Sequence, residues 1–304
     1  MPKSKRQVHR IKSVASNTRL TDYAARIFPV LGSRTAVKKA IVAGTLLLND
    51  EQIEEGALVK KGDLLVLKIK VAKRPKFKVD INLPIVFEDD YLLVVNKPAG
   101  IAVNGNRNKT VENAVATLVQ PSRQADALPH PVAVHRIDVP TKGLVLLAKT
   151  KSALIQLSKA FQHNEVKKMY WAVVHGKTLT TAQIDQPIQG KKAVTRFETT
   201  KTVPSRIFQH LSLLQLFPVT GRTHQLRIHL KNEGHLIVGD KQYAEGQKTI
   251  LGKGLFLCAG RLQFTHPVTK EWMDIRLEVP RRFAKLLERE KVRFGKENPR
   301  KKRR

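Results

Sequence analysis

Apolar and polar positions divide the chain into a short, helix-rich opening and a longer, strand-rich remainder. Two helix periods come first, at Leu20 to Phe28 and Arg34 to Val42; the second sets Val37 and Ile41 on one face and Arg34, Lys38 and Lys39 largely on another. Gly44 ends it, Leu46 to Leu48 reads as a strand running into an Asn49-Asp50 turn, and Lys61-Gly62-Asp63 turns into a last strand, Leu64 to Ile69. From Ile85 onward strand patterns dominate, at Ile85 to Phe87, Tyr91 to Asn96, Leu144 to Ala148, Tyr170 to Val174 and Leu211 to Phe217. Helix patterns interrupt them at Val111 to Val119, Ser152 to Phe161, His224 to Lys231 and Arg281 to Glu290. Short turns join many of the strands, which predicts an α+β fold: a mixed, mainly antiparallel sheet with flanking helices, preceded by a small α/β unit.

The implied division is a basic arm (1–17), a small domain (18–70), a linker rich in charge around Pro75 (71–84), a large domain (85–290) and a basic tail (291–304). Hydrophobic residues make up 41% of the 304, enough for a substantial core.

Charge narrows the choice of partner. Lys and Arg number 56 against 25 Asp and Glu, a net charge of +31. The two ends do not account for it: residues 1–16 contribute +5 and residues 281–304 contribute +9, leaving +17 on the body. Such a surface suits a polyanion, because binding phosphates releases condensed counterions. Cys258 is the only cysteine, so no intrachain disulfide or thiolate metal cluster can form, and a reducing, cytoplasmic setting is expected. No apolar run reaches the length of a membrane span and no secretory signal opens the chain, so no membrane partner is expected.

The residues that could carry chemistry centre on VAVHRIDVPTKGLVLLAKT, residues 132–150. An apolar approach leads into His135-Arg136-Ile137-Asp138, a turn with Pro140 and Gly143 follows, and a buried strand leaves it, which puts Asp138 beside a surface cleft. By spacing alone Asp138 is either a reactive carboxylate or one end of a structural salt bridge. Glycine-rich phosphate loops are absent, and His224 and His229, five residues apart, make poor metal ligands; no metal site and no cofactor are expected.

Five segments in order resemble the RluA-type pseudouridine synthases: VNKPAGIAV (95–103), HRID with Thr141 and Gly143 behind it, KKMYWAVVHG (167–176), GRTHQLRIHL (221–230) with HLIVGD after it, and FTHPVTKEW (264–272). The run TRLTDYAARIFPVLGSRTAVKKAIVAGTLLLND with VKKGDLLVL resembles the small RNA-binding domain first described in ribosomal protein S4. The first resemblance implies an isomerase that turns uridine into pseudouridine in structured RNA without a cofactor. It puts Asp138 on the family's essential aspartate, Tyr170 on its active-site tyrosine, Arg227 on the arginine that pairs with the aspartate, and Arg136 on a residue that helps expel the target base. Arg222 is expected on phosphate, His135 as a support of the turn, and His224 and His229 as packing or hydrogen-bonding residues. The second resemblance implies that Arg34, Lys38 and Lys39 meet RNA.

By resemblance the large ribosomal RNA leads as substrate, transfer RNA follows, and a monomer suffices. Val139, Pro140 and Lys142 replace residues that are commonly polar or serine in the family, and Asn104-Gly105 replaces a frequent His-Pro. These departures bear on which uridine is chosen more than on the chemistry. Two other functions remain at this point: a catalytically inactive RNA-binding or ribosome-assembly factor on the same fold, and a basic protein that binds DNA or a membrane.

Overall fold

A computed structural model describes residues 5–28, 30–31, 33–54, 56–69, 81–246, 249–250 and 252–297. The first stretch forms β1 (Lys5–Arg10), α1 (Leu20–Ile27), α2 (Arg34–Val42), β2 (Leu46–Leu48), β3 (Glu51–Gln52) and β4 (Leu64–Ile69), with the strands in the order β1-β4-β2-β3. Ser33 caps α2 by accepting from the Ala36 N–H at 3.2 Å, and Val37, Ala40 and Ile41 bury its inner face. The Lys61-Gly62-Asp63 turn is held by the buried Asp63 carboxylate. It accepts from the Lys60 N–H (2.9 Å) and the Asn49 amide (3.1 Å), and the Asn49 oxygen accepts from the Leu64 N–H (2.8 Å).

One expectation fails here. Residues 5–10, assigned above to a basic arm outside the small domain, are paired antiparallel with β4 along their whole length. The segment KRQVHR lacks apolar alternation, because an edge strand joined through its backbone needs little side-chain burial. Most of the linker expected at 71–84, residues 71–80, and the end of the basic tail, residues 298–304, lie outside the described residues. The rest of the expected tail continues a helix.

Residues 85–297 supply β5 (Ile85–Glu88), β6 (Leu92–Lys97), α3 (Val111–Leu118), β7 (Ala127–Ala133), β8 (Lys142–Thr150), α4 (Lys151–Gln162), β9 (Lys167–His175), β10 (Thr181–Asp185), β11 (Val194–Ser205), β12 (Gln209–Pro218), α5 (Gln225–Asn232), β13 (Leu257–Thr265), β14 (Trp272–Arg276) and α6 (Arg281–Glu297). Their sheet runs β10-β11-β12-β9-β13-β8-β6-β5, with β7 beside β8 and β14 beside β13. The fold is α+β, and the sheet is antiparallel except where β13 meets β8. Threonines cap two flanking helices: Thr110 accepts from the Asn113 N–H at α3, and Thr150 from the Ala153 N–H at α4.

The parallel seam decides where the cleft opens. Gly143 sits there with φ +120°, and a Cβ on it would lie 2.2 Å from the Ala259 carbonyl oxygen. Only glycine lets β8 approach β13 so closely, five residues after Asp138. No helix among the described residues is long and apolar enough to cross a membrane.

Candidate active site

At the ends of β8, β9 and β13, beside α5, lies a cavity of about 590 Å³. Asp138, Tyr170, Arg227, Arg136 and Arg222 all line it. Arg34, Lys38 and Lys39 do not: they stand exposed on α2 in the small unit, where Arg34 pairs with Asp22.

Asp138 begins a tight turn in which the Thr141 N–H donates to its carbonyl at 3.0 Å. Residues of the VNKPAGIAV segment clamp the turn from below. The Gly100 N–H donates to the Val139 carbonyl (2.8 Å), and the Lys97 ammonium donates to the carbonyls of Ile101 (2.8 Å), Pro98 (3.0 Å) and Val139 (3.1 Å). Lys97 is 0% exposed; burial pulls its pKa down to about 8, against the pull of Asp138 in the other direction. From above, the His135 ring stacks on Phe161 at 4.5 Å, and its Nε2 accepts from the Leu146 N–H at 3.0 Å. Burial, with help from the nearby Lys168 charge, pushes the His135 pKa down to about 3. His135 is therefore neutral, and its ring ties the start of the turn to β8 and α4.

Arg227 reaches the site from α5 and is 4% exposed. Its tightest partner is a residue the motifs left without a role: Nε and Nη2 donate to the two oxygens of Asp240 at 2.7 and 2.8 Å, and Nη2 also reaches Gln242 at 3.1 Å. Toward Asp138 the remaining Nη1 makes a longer contact of 3.4 Å. Burial lowers the guanidinium's pKa, but Asp240 first and Asp138 second outweigh it, and the net shift is upward. The Tyr243 ring lies under the guanidinium at 4.9 Å, and its hydroxyl meets His224 Nδ1 at 2.8 Å. His224 Nε2 in turn stands 3.8 Å from Asp138 Oδ1.

Tyr170 projects from β9 between two of the hydrophobic clusters. Burial, then the Asp138 charge, raises its pKa, so its hydroxyl stays protonated. No hydrogen bond engages that hydroxyl among the described residues. Arg136 is exposed on the cavity rim, and Arg222 is exposed with its Nε donating to the Lys192 carbonyl at 3.0 Å. The loop before α5 is bracketed by buried Gln225, whose oxygen accepts from Thr220 (2.7 Å) and the Arg222 N–H (3.0 Å) while its amide donates to the Val194 carbonyl (2.9 Å). His229 is a buried bridge between Thr195 and the Gln186 carbonyl, each at 3.0 Å.

Reading by residue type missed Asp240, Gln242, Tyr243, Gln225 and Lys97. The signal existed for two of them. Lys97 stands inside the first matched segment and Asp240 at the end of HLIVGD, each closing a mainly apolar run where a charge needs a partner.

An open cavity that presents a partly exposed carboxylate held near a buried guanidinium, beside an aromatic ring and under a rim of cations, belongs to an enzyme acting on a polyanionic substrate. A family profile described as RNA pseudouridylate synthase matches residues 91–232. The ribosomal large subunit pseudouridine synthase C of Vibrio parahaemolyticus is 31% identical over 285 residues, covering 84% of this chain and 87% of that protein. The dual-specificity RNA pseudouridine synthase RluA of Haemophilus influenzae is 34% identical over 208 residues, 63% of this chain and 90% of that one. Among solved structures, human RNA pseudouridylate synthase domain containing 4 shares the fold with a TM-score of 0.53 at 24% identity, over 67% of this chain and 92% of that one. The chain belongs to the RluA-type RNA pseudouridine synthases, isomerases that convert uridine in RNA into pseudouridine.

Proposed function

We propose that the cavity around Asp138 isomerises uridines of the large-subunit ribosomal RNA without a cofactor, while the small unit at the start of the chain serves as an S4-like RNA grip. The observation that carries the first part is the placement of Asp138: 23% exposed, facing the cavity, and touched by Arg227 at 3.4 Å without being saturated by it. The reaction breaks the bond from carbon 1′ to nitrogen 1, turns the uracil and joins carbon 5 to carbon 1′. A proton leaves carbon 5 and nitrogen 1 gains one. No electron, hydride or phosphoryl group is transferred, so side chains suffice.

Asp138 acts at the sugar, as a nucleophile on carbon 1′ or as the base that opens a path through a glycal; both need the carboxylate ionised and its lone pairs within reach. Arg227 favours the anion and orients it. Tyr170 offers a ring for the expelled base and a protonated hydroxyl for the proton relocation. Arg136, on the rim, fills the place the uridine leaves, because its planar guanidinium can stack on the neighbouring bases. Arg222 meets phosphate.

The ribosomal substrate is supported by the relative from Vibrio, whose name specifies the large subunit. For the small unit the support is the exposed basic face of α2, with Arg34, Lys38 and Lys39. An intact Asp138, Tyr170 and Arg227 speak against a retired, purely RNA-binding protein.

Tritium placed on carbon 5 of uridine provides the test. Large-subunit RNA so labelled should lose tritium to water with the wild-type enzyme, equally well after chelation of metals provided the RNA is pre-folded. Release from transfer RNA alone would move the substrate assignment, and no release from any RNA would remove the catalytic reading. Lys39→Gln should lower the slope of log affinity against log salt by up to about 0.9 if it contacts one phosphate; an unchanged slope would count against an RNA contact there.

A further inference from the structure

Lys168 is the one charged residue of the cavity lining for which the proposed chemistry has no use. It stands on β9 two residues before Tyr170, so the two side chains leave the same face of the strand with their Cα atoms about 7 Å apart. It is half-buried, and among the described residues no carboxylate or other acceptor meets its ammonium within bonding distance. Nζ lies alongside the backbone of Gly221, where an added Cβ would come within 4.0 Å of it, next to the exposed Arg222. A half-buried ammonium without a partner is costly in an isolated protein, and the cost is recovered when a ligand brings an anion. Burial lowers its pKa, in keeping with a charge still waiting for that anion.

Two parts of the substrate could answer it: the uracil, which becomes anionic as its bond to the sugar breaks, or a backbone phosphate. Position separates them. Nζ lies against Gly221, next to the exposed Arg222, the residue proposed above to meet phosphate. A phosphate flanking the target uridine fits this position, one step along the strand from the ring that takes the base.

We propose that Lys168 forms a phosphate-binding subsite of the cavity, seating the backbone phosphate next to the target uridine while the base lies on Tyr170. The placement of the base rests on the stacking role proposed for Tyr170; the phosphate contact does not.

The test pairs a protein change with an RNA change. A large-subunit RNA fragment from which the enzyme releases tritium is made with a neutral methylphosphonate at the phosphate on either side of the target uridine, one at a time. Lys168→Gln should raise the half-saturating RNA concentration roughly 10- to 100-fold, and lower the maximal single-turnover rate less. One of the two methylphosphonates should weaken wild-type binding to a similar degree yet barely weaken the variant further, and Lys168→Arg should recover part of the loss. Independent, multiplying losses at both phosphates would overturn the proposal, as would a variant that loses rate at unchanged affinity. The RNA arm decides even if Lys168→Gln fails to fold, because indifference of the wild-type enzyme to both methylphosphonates refutes the subsite. Coupling to Lys168 with no effect of Tyr170→Leu on affinity would keep the phosphate contact and discard only the stacking of the base.

Discussion

Arg227 stands between two aspartates carried on two turns. Asp240 is 1% exposed and takes both parallel N–H groups of the guanidinium fork at 2.7 and 2.8 Å. Asp138 is 23% exposed and receives one contact at 3.4 Å, longer than a charge-assisted hydrogen bond prefers. The geometry divides the labour. Asp240 spends its charge on fixing the arginine, and Asp138 is left oriented but with lone pairs free for a substrate. One buried cation thus faces two anions that differ in how fully each is saturated, and the less saturated one is the carboxylate proposed to act on the sugar.

The sharpest way to break the comparison is Asp138→Asn. The exchange scarcely alters shape, so RNA affinity should stay near wild type while the single-turnover rate falls roughly a thousand-fold or more. Retention of a few per cent of the rate would show that Asp138 is not the reactive carboxylate.

Next in size is Tyr170→Phe, which keeps the ring and removes the hydroxyl from the cavity that Asp138 shares. Binding should persist, since stacking is worth roughly 1–3 kcal/mol per base. Pseudouridine should form about a hundred-fold more slowly if the hydroxyl moves the proton. Equal turnover of Phe and wild-type enzymes would reduce Tyr170 to a stacking surface.

Asp240→Asn tests the structural half of the pair. Leaving a buried guanidinium short of its main partner should cost about 3 kcal/mol in urea unfolding, and the rate should fall because Arg227 then closes on Asp138. A loss of rate without any loss of stability would mean that Asp240 belongs to the chemistry.

The buried His135 ahead of the Asp138 turn should show itself as a pH dependence. His135 has a folded pKa of about 3, below the ordinary 6.5, so the unfolded chain binds the extra proton between those values. The stability it contributes is present above about pH 6.5 and drains away as pH falls toward 3; between pH 7 and 4.5 wild type should lose about 2 kcal/mol more than His135→Gln. Parallel unfolding curves for the two proteins at both pH values would contradict this.

The smallest effect should come from Tyr243→Phe, which keeps the ring under Arg227 and deletes the hydrogen bond to His224. A cost of about 1 kcal/mol in stability and a few-fold change in rate are expected. A large loss of rate would raise His224, 3.8 Å from Asp138, from a neighbour to a participant.

What the sequence determined by itself was the set of elements and the central cast. Period-3.6 and period-2 patterns located α1 to α5, the start of α6 and the strands β2, β4, β5, β6, β8, β9 and β12, because burial of one face imposes those periods wherever an element meets a core; β7, β10, β11, β13 and β14 went unread. The ordered segments nominated Asp138, Tyr170 and Arg227, which the fold gathers around one cavity from the β7–β8 turn, β9 and α5. Only the tertiary structure decided the rest. It made a strand of residues 5–10, whose pairing is a backbone matter with no side-chain signature. It showed why position 143 must be glycine, since the obstacle is the carbonyl of Ala259, more than a hundred residues away. And it revealed that Arg227 answers first to Asp240 and that Lys97 answers to three carbonyls, because a buried charge is defined by what surrounds it, and spacing along the chain carries no record of a partner brought in by the fold.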